Sequence, residues 1–259
     1  MTRVFLTGDK HCNFQSPDDY QKIKAFCEQF QTTLNDYMIV LGDHGIHYDD
    51  GWSDYHAKKK LSKYPINFIM VRGNHDMRPN DGWKHIGINA GDGAVVGTFI
   101  EDPEFNNILY TTEYGWYKFA GRSCFVIGGA YSADKYYRLE QQSLGNKNWR
   151  WFPNEQLSEG ERNIAGLQLL LKCNPESIIL SHTCPLRFEP SEMFLAMVDQ
   201  DTVDKTMENW MDHLYQELMN DNRLPKTWYC GHWHTDKTDG IMRFMFHDIL
   251  ELEPVEADV

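Results

Sequence analysis

The chain has 259 residues, 41% hydrophobic, 14% aromatic and 24% charged, which suits a soluble globular protein with one large core or two small ones. Its net charge of −13, from 25 Lys and Arg against 38 Asp and Glu, disfavours nucleic acid as a partner but not a small phosphorylated ligand, because bound cations reverse the field locally. No apolar run approaches the ~20 residues of a membrane span or the shape of a signal peptide, and the six cysteines (Cys12, Cys27, Cys124, Cys173, Cys184, Cys230) form no CxxC pair and read as reduced, cytoplasmic thiols.

Val4-Phe5-Leu6-Thr7 predicts a short strand that ends in Gly8-Asp9-Lys10-His11. Ser16-Pro17-Asp18-Asp19 marks a helix start, with a capping serine, proline at the first helical position and acids in the first turn. Ile23, Phe26 and Phe30 follow at helical spacing. A second strand over 37–41 ends in Gly42-Asp43-His44-Gly45, and a helix is predicted over roughly 51–61. Pro65 introduces a third strand, 66–71, which delivers Gly73-Asn74-His75-Asp76. Each of these strands ends in a glycine and a potential ligand, at intervals of about 30 residues, or one β-α-β unit. The pattern opens a doubly wound α/β fold with its site at the carboxyl ends of strands.

Residues 77–121 are rich in Gly, Asn and Asp and predict no long helix; 123–129 predicts another strand. The stretch 131–153 is dense in aromatic and basic residues, and reads either as packed core or as a rim or lid beside the site. A helix over 155–172 leads to a buried strand, 177–180, and then to Ser181-His182-Thr183. A helix carrying Val203, Met207, Trp210, Met211, Leu214 and Leu218 precedes the strand 227–230, which ends in Gly231-His232-Trp233-His234. A closing strand over 243–246 and a frayed acidic tail, 251–259, complete the chain. Without repeat, linker or low-complexity segment, residues 1–259 read as a single domain, with 131–153 as its possible rim.

Collecting the polar residues that follow strands gives Asp9, His11, Asp43, Asn74, His182, His232 and His234. Oxygen and imidazole donors without thiolate suit Mn, Fe, Zn or Ni. They are too many for one tetrahedral ion and suit a pair, which at about 3.5–4 Å apart can activate water and stabilise the oxygens of an in-line displacement at phosphorus. A carboxylate is the natural bridge, and Asp43 lies on the middle of the three N-terminal strands. His75 can carry a proton near neutral pH, and Asp76 can orient a histidine.

These motifs resemble those of the calcineurin-like metallophosphoesterase superfamily. Asp9-Lys10-His11, Gly42-Asp43, Gly73-Asn74-His75-Asp76, Ser181-His182 and Gly231-His232-Trp233-His234 match its five motifs in order, over about residues 4 to 250. The resemblance implies a four-layer α/β/β/α sandwich of two facing sheets between helices. It implies Asp9, His11, Asp43 and His234 on one divalent ion and Asp43, Asn74, His182 and His232 on the other, manganese being preferred. His75 is implied as the residue that protonates the leaving group, beside Asp76. The second motif departs from the family's Gly-Asp-x-x-Asp, because Ile46 fills the last position. The arginine with which protein phosphatases continue it is missing, which argues against that activity. Arg72, Arg78, Arg138 and Arg187 are the candidates to grip phosphate, each also readable as a structural ion pair. His44 and His47 read as pocket lining or as buried structure; His56, His85, His213 and His247 read as surface or core.

The function expected is hydrolysis of a phosphomonoester or phosphodiester of a small nucleotide-like compound by attack of metal-activated water. A nuclease of the same superfamily is the nearest alternative, disfavoured by charge, and a non-catalytic scaffold with this fold is the alternative from another class.

Overall fold

The structure, a computed structural model, describes residues 2–11 and 17–255. In chain order the described residues form β1 (Val4–Thr7), α1 (Pro17–Phe30), β2 (Tyr37–Leu41), α2 (Trp52–Leu61), β3 (Asn67–Val71), β4 (His85–Ala90), β5 (Val95–Glu101), β6 (Ile108–Tyr110) and β7 (Tyr114–Phe119). They continue with β8 (Arg122–Ile127), α3 (Lys135–Ser143), α4 (Glu159–Lys172), β9 (Ile178–Ser181), α5 (Thr206–Asn220), β10 (Thr227–Cys230), β11 (Lys237–Asp239), β12 (Met242–Phe244) and β13 (Ile249–Glu251). The serine expected to cap α1, Ser16, lies outside the described residues.

Hydrogen bonding runs without a break through the order β11-β12-β10-β9-β8-β7-β5-β6-β3-β2-β1-β13, with β4 added on β5. One parallel arm contains β1, β2, β3 and β6, and a second contains β8, β9, β10 and β12. Antiparallel pairs of β5 and β7 join the arms. The result is a mixed α/β fold around one large curled sheet, with five α-helices among the described residues.

Alternation along the strands sorts their side chains into cores, as the period of two requires. Val4, Leu6, Ile39, Leu41, Ile69 and Val71 share one cluster with Cys124, Val126, Ile178 and Leu180 from the other arm. The intervening Phe5, Met38, Val40, Phe68 and Met70 turn the opposite way, onto Ile23, Phe26, Ala57 and Leu61 of α1 and α2. On the second arm, Phe125, Ile127 and Ile179 meet Ala165, Leu169, Met211 and Leu214 of α4 and α5. Both arms are therefore buried on both faces, which is why their strands read as continuous apolar runs.

Residues 77–121 hold no helix, as expected, and form four strands that the sequence pattern did not mark; Ile86, Ile88 and Ala90 of β4 pack inward while His85, Gly87 and Asn89 are exposed. Two expectations are corrected. The helix expected from 155 begins at Glu159, because Ser158 and Glu161 form a reciprocal capping box. The tail does not fray from 251: β13 pairs with β1, Leu252 N–H donates to Val4 O at 2.8 Å, and Leu252 is buried. The five described cysteines are buried and unbridged. Among the described residues no helix is long and apolar enough to cross a membrane.

The first turn of α5 carries a buried carboxyl, Glu208. Thr183 Oγ1 donates to its Oε1 at 2.7 Å, while its Oε2 has no hydrogen-bond partner. Burial pushes this carboxyl up to about 7, against the Thr183 bond. Its folded value exceeds the unfolded value of about 4.3, so stability falls as pH rises from there to about 7 and stays low above. Glu208→Gln should remove that decline, leaving the variant more stable than wild type at pH 8 by up to roughly 3 kcal/mol. Denaturant unfolding of both proteins at pH 5 and pH 8 measures the difference; the same pH dependence in both would refute it.

Candidate metal centre

The loops after β1, β2, β3, β9 and β10 converge, and backbone contacts lock them together. The carbonyl of Asp43 accepts the N–H groups of Lys10 and His11, at 3.2 and 2.7 Å. Asp43 Oδ1 accepts from His75 N–H, and Asp9 Oδ1 from His232 N–H, each at 2.8 Å. Such close approach needs glycine: a Cβ on Gly42, which has φ +90°, would stand 2.0 Å from His182 Nδ1, and one on Gly73 2.1 Å from Asp43 Oδ1. His11, Asp43, His232 and His234 all have positive φ, at 36°, 45°, 67° and 49°. Non-glycine residues in that region carry backbone strain, which collects at functional sites.

All seven residues read as ligands enter this cluster. On one side, His11 Nε2 lies 2.8 Å from His234 Nε2, which lies 3.1 Å from Asp9 Oδ2. Asp9 Oδ2 is buried without an aligned hydrogen bond. On the other, His182 Nε2 lies 2.9 Å from Asn74 Oδ1, and the rings of His182 and His232 meet edge to face at 4.9 Å. Asp43 stands between: its Oδ1 is 3.6 Å from His182 Nε2 and its Oδ2 3.9 Å from His11 Nε2.

The orientation of Asn74 follows from its neighbours. Ser132 Oγ–H donates to the Glu155 carboxylate at 2.5 Å, so Ser132 Oγ accepts from Asn74 Nδ2, at 2.9 Å. Asn74 Oδ1 then faces His182 Nε2, while His182 Nδ1 faces the Leu41 carbonyl at 2.8 Å. Both ring nitrogens of His182 thus confront oxygen, yet a neutral imidazole has one N–H. A second proton, or a cation within reach of Nε2, reconciles the contacts. The seven donors fit divalent ions on this ground and by their chemistry.

Electrostatics follows burial and proximity. Burial opposes ionisation of Asp43, but His75, His182 and His11 hold its carboxyl below the usual range. Burial pushes His75 down to about 4, with Asp43 opposing, and His232 down to about 3, with His182 adding to the shift. Both are neutral imidazoles at neutral pH, the form a metal ligand or an acceptor needs.

Other candidates sort differently. Asp76 faces the loop after β2: it accepts N–H from Gly73, His44 and Gly45, at 2.9, 3.3 and 3.3 Å, and the histidine it meets is His44, at 3.2 Å. It holds the second and third loops together. His44 and His47 are buried against Tyr110. Arg72 pairs with Glu113, Arg78 with Glu161 and Arg187 with Asp212. Arg138 alone of the four reaches the cluster: paired with Asp134, it donates from Nη2 to His75 Nε2 at 3.0 Å.

Ser132 and Glu155 were missed by the sequence reading. The signal for Ser132 was present, since β8 also ends in glycine, Gly128-Gly129, followed closely by a polar residue. Glu155 was assigned to a helix.

Among curated proteins, none matches the sequence. A crystal structure of a protein of unknown function from Aquifex aeolicus is similar at 10% identity and a TM-score of 0.41, over 97% of this chain and 96% of that one; likeness at that level carries no argument. The family model described as calcineurin-like phosphoesterase matches residues 2–236. With its strand-end motifs drawn into one cluster and nearly its whole length matched, the chain belongs to the calcineurin-like phosphoesterases.

Proposed function

We propose that the protein hydrolyses a phosphomonoester or phosphodiester of a small, nucleotide-like compound at a centre of two divalent metal ions. The observation that carries this reading is Asp43, whose two carboxylate oxygens face two different groups of donors. Asp9, His11, Asp43 and His234 would hold one ion, and Asp43, Asn74, His182 and His232 the other. Bound there, manganese or a similar ion supplies Lewis acidity toward phosphoryl oxygens and acidifies water for attack at phosphorus. The three cores support the four-layer α/β/β/α packing for such a domain.

In this reading the chain's own groups bind the ester and move the proton. Arg138 turns from His75 to the phosphoryl oxygens when substrate enters, which frees His75 Nε2. The incoming negative charge raises the proton affinity of His75, and the freed Nε2 takes up a proton from solvent water. As the P–O bond breaks, the leaving oxygen takes its proton from Nε2. Tyr136 and Tyr137 are 66% and 47% exposed beside Arg138, and Tyr137 meets Trp149 edge to face at 5.1 Å. These rings support a rim over 131–153 on which a base could stack. Net charge supports a small substrate over a nucleic acid, and a scaffold would not need the ligand set intact.

Asp43→Asn should weaken both ions together, by at least about 10–100-fold in affinity, and abolish most activity while circular dichroism stays native. Elemental analysis showing two fully occupied ions in the variant would remove the bridging role. His75→Asn should keep both ions and lose roughly 10²–10⁴-fold on an alkyl or nucleoside phosphate, the usual contribution of general acid catalysis. Nitrophenyl phosphate, whose leaving group needs no proton, should lose far less; equal losses would mean that His75 does not donate. Arg138→Lys should lower kcat/KM by about 10–100-fold, the worth of a hydrogen bond to a charged group, mainly through KM. An unchanged KM would assign Arg138 to structure.

A further inference from the structure

A second buried imidazole, His47, also meets oxygen on both ring nitrogens. After β2 the chain runs from Asp43 through His47, Tyr48, Asp49, Asp50 and Gly51 into α2. His47 is buried, 1% exposed, under Trp83 and Tyr110. Its Nε2 lies 3.2 Å from the carbonyl of Arg78, which can only accept, so the ring carries its proton there. Nδ1 then presents a lone pair. It makes no hydrogen bond, yet it lies 2.8 Å from Asp50 Oδ1, another lone pair. Two acceptors at this distance repel unless a second proton or a cation serves both, and the contact meets no hydrogen-bond geometry.

A third donor is at hand. Asp54, also buried, accepts the N–H groups of Tyr48, Asp49 and Asp50 at 2.7, 2.7 and 2.8 Å, all through Oδ2. Donor atoms of His47, Asp50 and Asp54 lie within 4.8 Å of one another. Adjacent ligands on a zinc-like ion stand about 2.9–3.4 Å apart, given metal–ligand bonds of about 2.0–2.2 Å, so the His47–Asp50 contact needs little adjustment. Nearby side-chain cations are engaged elsewhere: Lys58 pairs with Asp102 at 2.9 Å, and Arg150 donates to the Tyr48 carbonyl at 3.0 Å.

We propose that His47, Asp50 and Asp54 bind a further divalent transition ion, separate from the centre around Asp43. One imidazole nitrogen with two carboxylates selects zinc, manganese or a similar ion, with water completing the sphere. The ion ties the loop that follows Asp43 to the first turn of α2. Through His47 that loop also holds the segment after Asp76: Met77 N–H donates to the His47 carbonyl at 2.8 Å. Its work is structural, since its ligands bond the Arg78 carbonyl and the backbone of residues 48–50.

The test uses Asp50→Asn. Asp50 is partly exposed and has φ 53°, a region that asparagine tolerates well, so the variant keeps the fold. Full-length wild type, Asp50→Asn and Asp43→Asn are stripped with chelator, reloaded with Zn²⁺ and analysed for bound metal. Wild type should hold one ion more than Asp50→Asn, with that site weakened by more than about tenfold in the variant. Asp43→Asn should retain this ion, so the outcome is separable from the two-ion reading of the catalytic centre. Zn²⁺ should also raise the melting temperature of Asp43→Asn, and not that of the Asp43→Asn/Asp50→Asn double variant. Equal ion counts in wild type and Asp50→Asn, with equal thermal response in the other pair, would overturn the site.

Discussion

A neutral imidazole has one proton to give, and at His182 both nitrogens face oxygen. That constraint organises the candidate metal centre. The Leu41 carbonyl holds Nδ1, and Asn74 Oδ1 is aimed at Nε2 because Glu155 and Ser132 fix which end of the amide points inward. The polarity of the cluster is therefore set two residues behind it, by a carboxylate that touches no candidate ligand. Around this the loops hold one another by backbone N–H bonds to Asp9, Asp43 and Asp76. Those bonds offset the strain of four non-glycine residues at positive φ, on the order of 1–3 kcal/mol each.

His75 and Arg138 illustrate a second consequence of burial. An imidazole driven down to about 4 is a poor proton donor at rest, and the guanidinium beside it makes it poorer. A negative ligand reverses both effects at once, by attracting the guanidinium and stabilising imidazolium. On the function proposed above, the site would acquire its acid only on binding its substrate.

Much of this was legible in the sequence, for a physical reason. Strands buried on both faces must be nearly all apolar, so the runs ending at Thr7, Leu41, Val71, Ser181 and Cys230 stand out, and the glycine that closely follows all but Ser181 marks where backbone approaches backbone. The seven ligand types follow immediately. What stayed hidden was the chain that is half exposed: in His85-Ile86-Gly87-Ile88-Asn89-Ala90 the apolar set alternates with polar residues and glycine, and resembles loop composition. Glu155 was hidden for another reason. Its neighbours favour helix, and only the capping box at Ser158 and Glu161 excludes it; its task depends on Ser132, 23 residues away. The continuous sheet was equally unreadable, because the link through β5 and β7 is a matter of pairing, not of pattern.

The pairing of β13 with β1 has a consequence in time. Thr7 Oγ1 donates to the carbonyl of Asp248, 241 residues later, at 3.0 Å, and Leu252 closes on Val4. On a ribosome the strand that leads to Asp9 and His11 is made more than 240 residues before the strand that covers its outer edge. Contacts so distant in sequence slow folding, and an unpaired apolar edge invites pairing with other chains meanwhile. Asp248, Glu251 and Glu253 lie in or beside the late strand, and charge of one sign there disfavours its pairing with the same strand of a neighbouring copy.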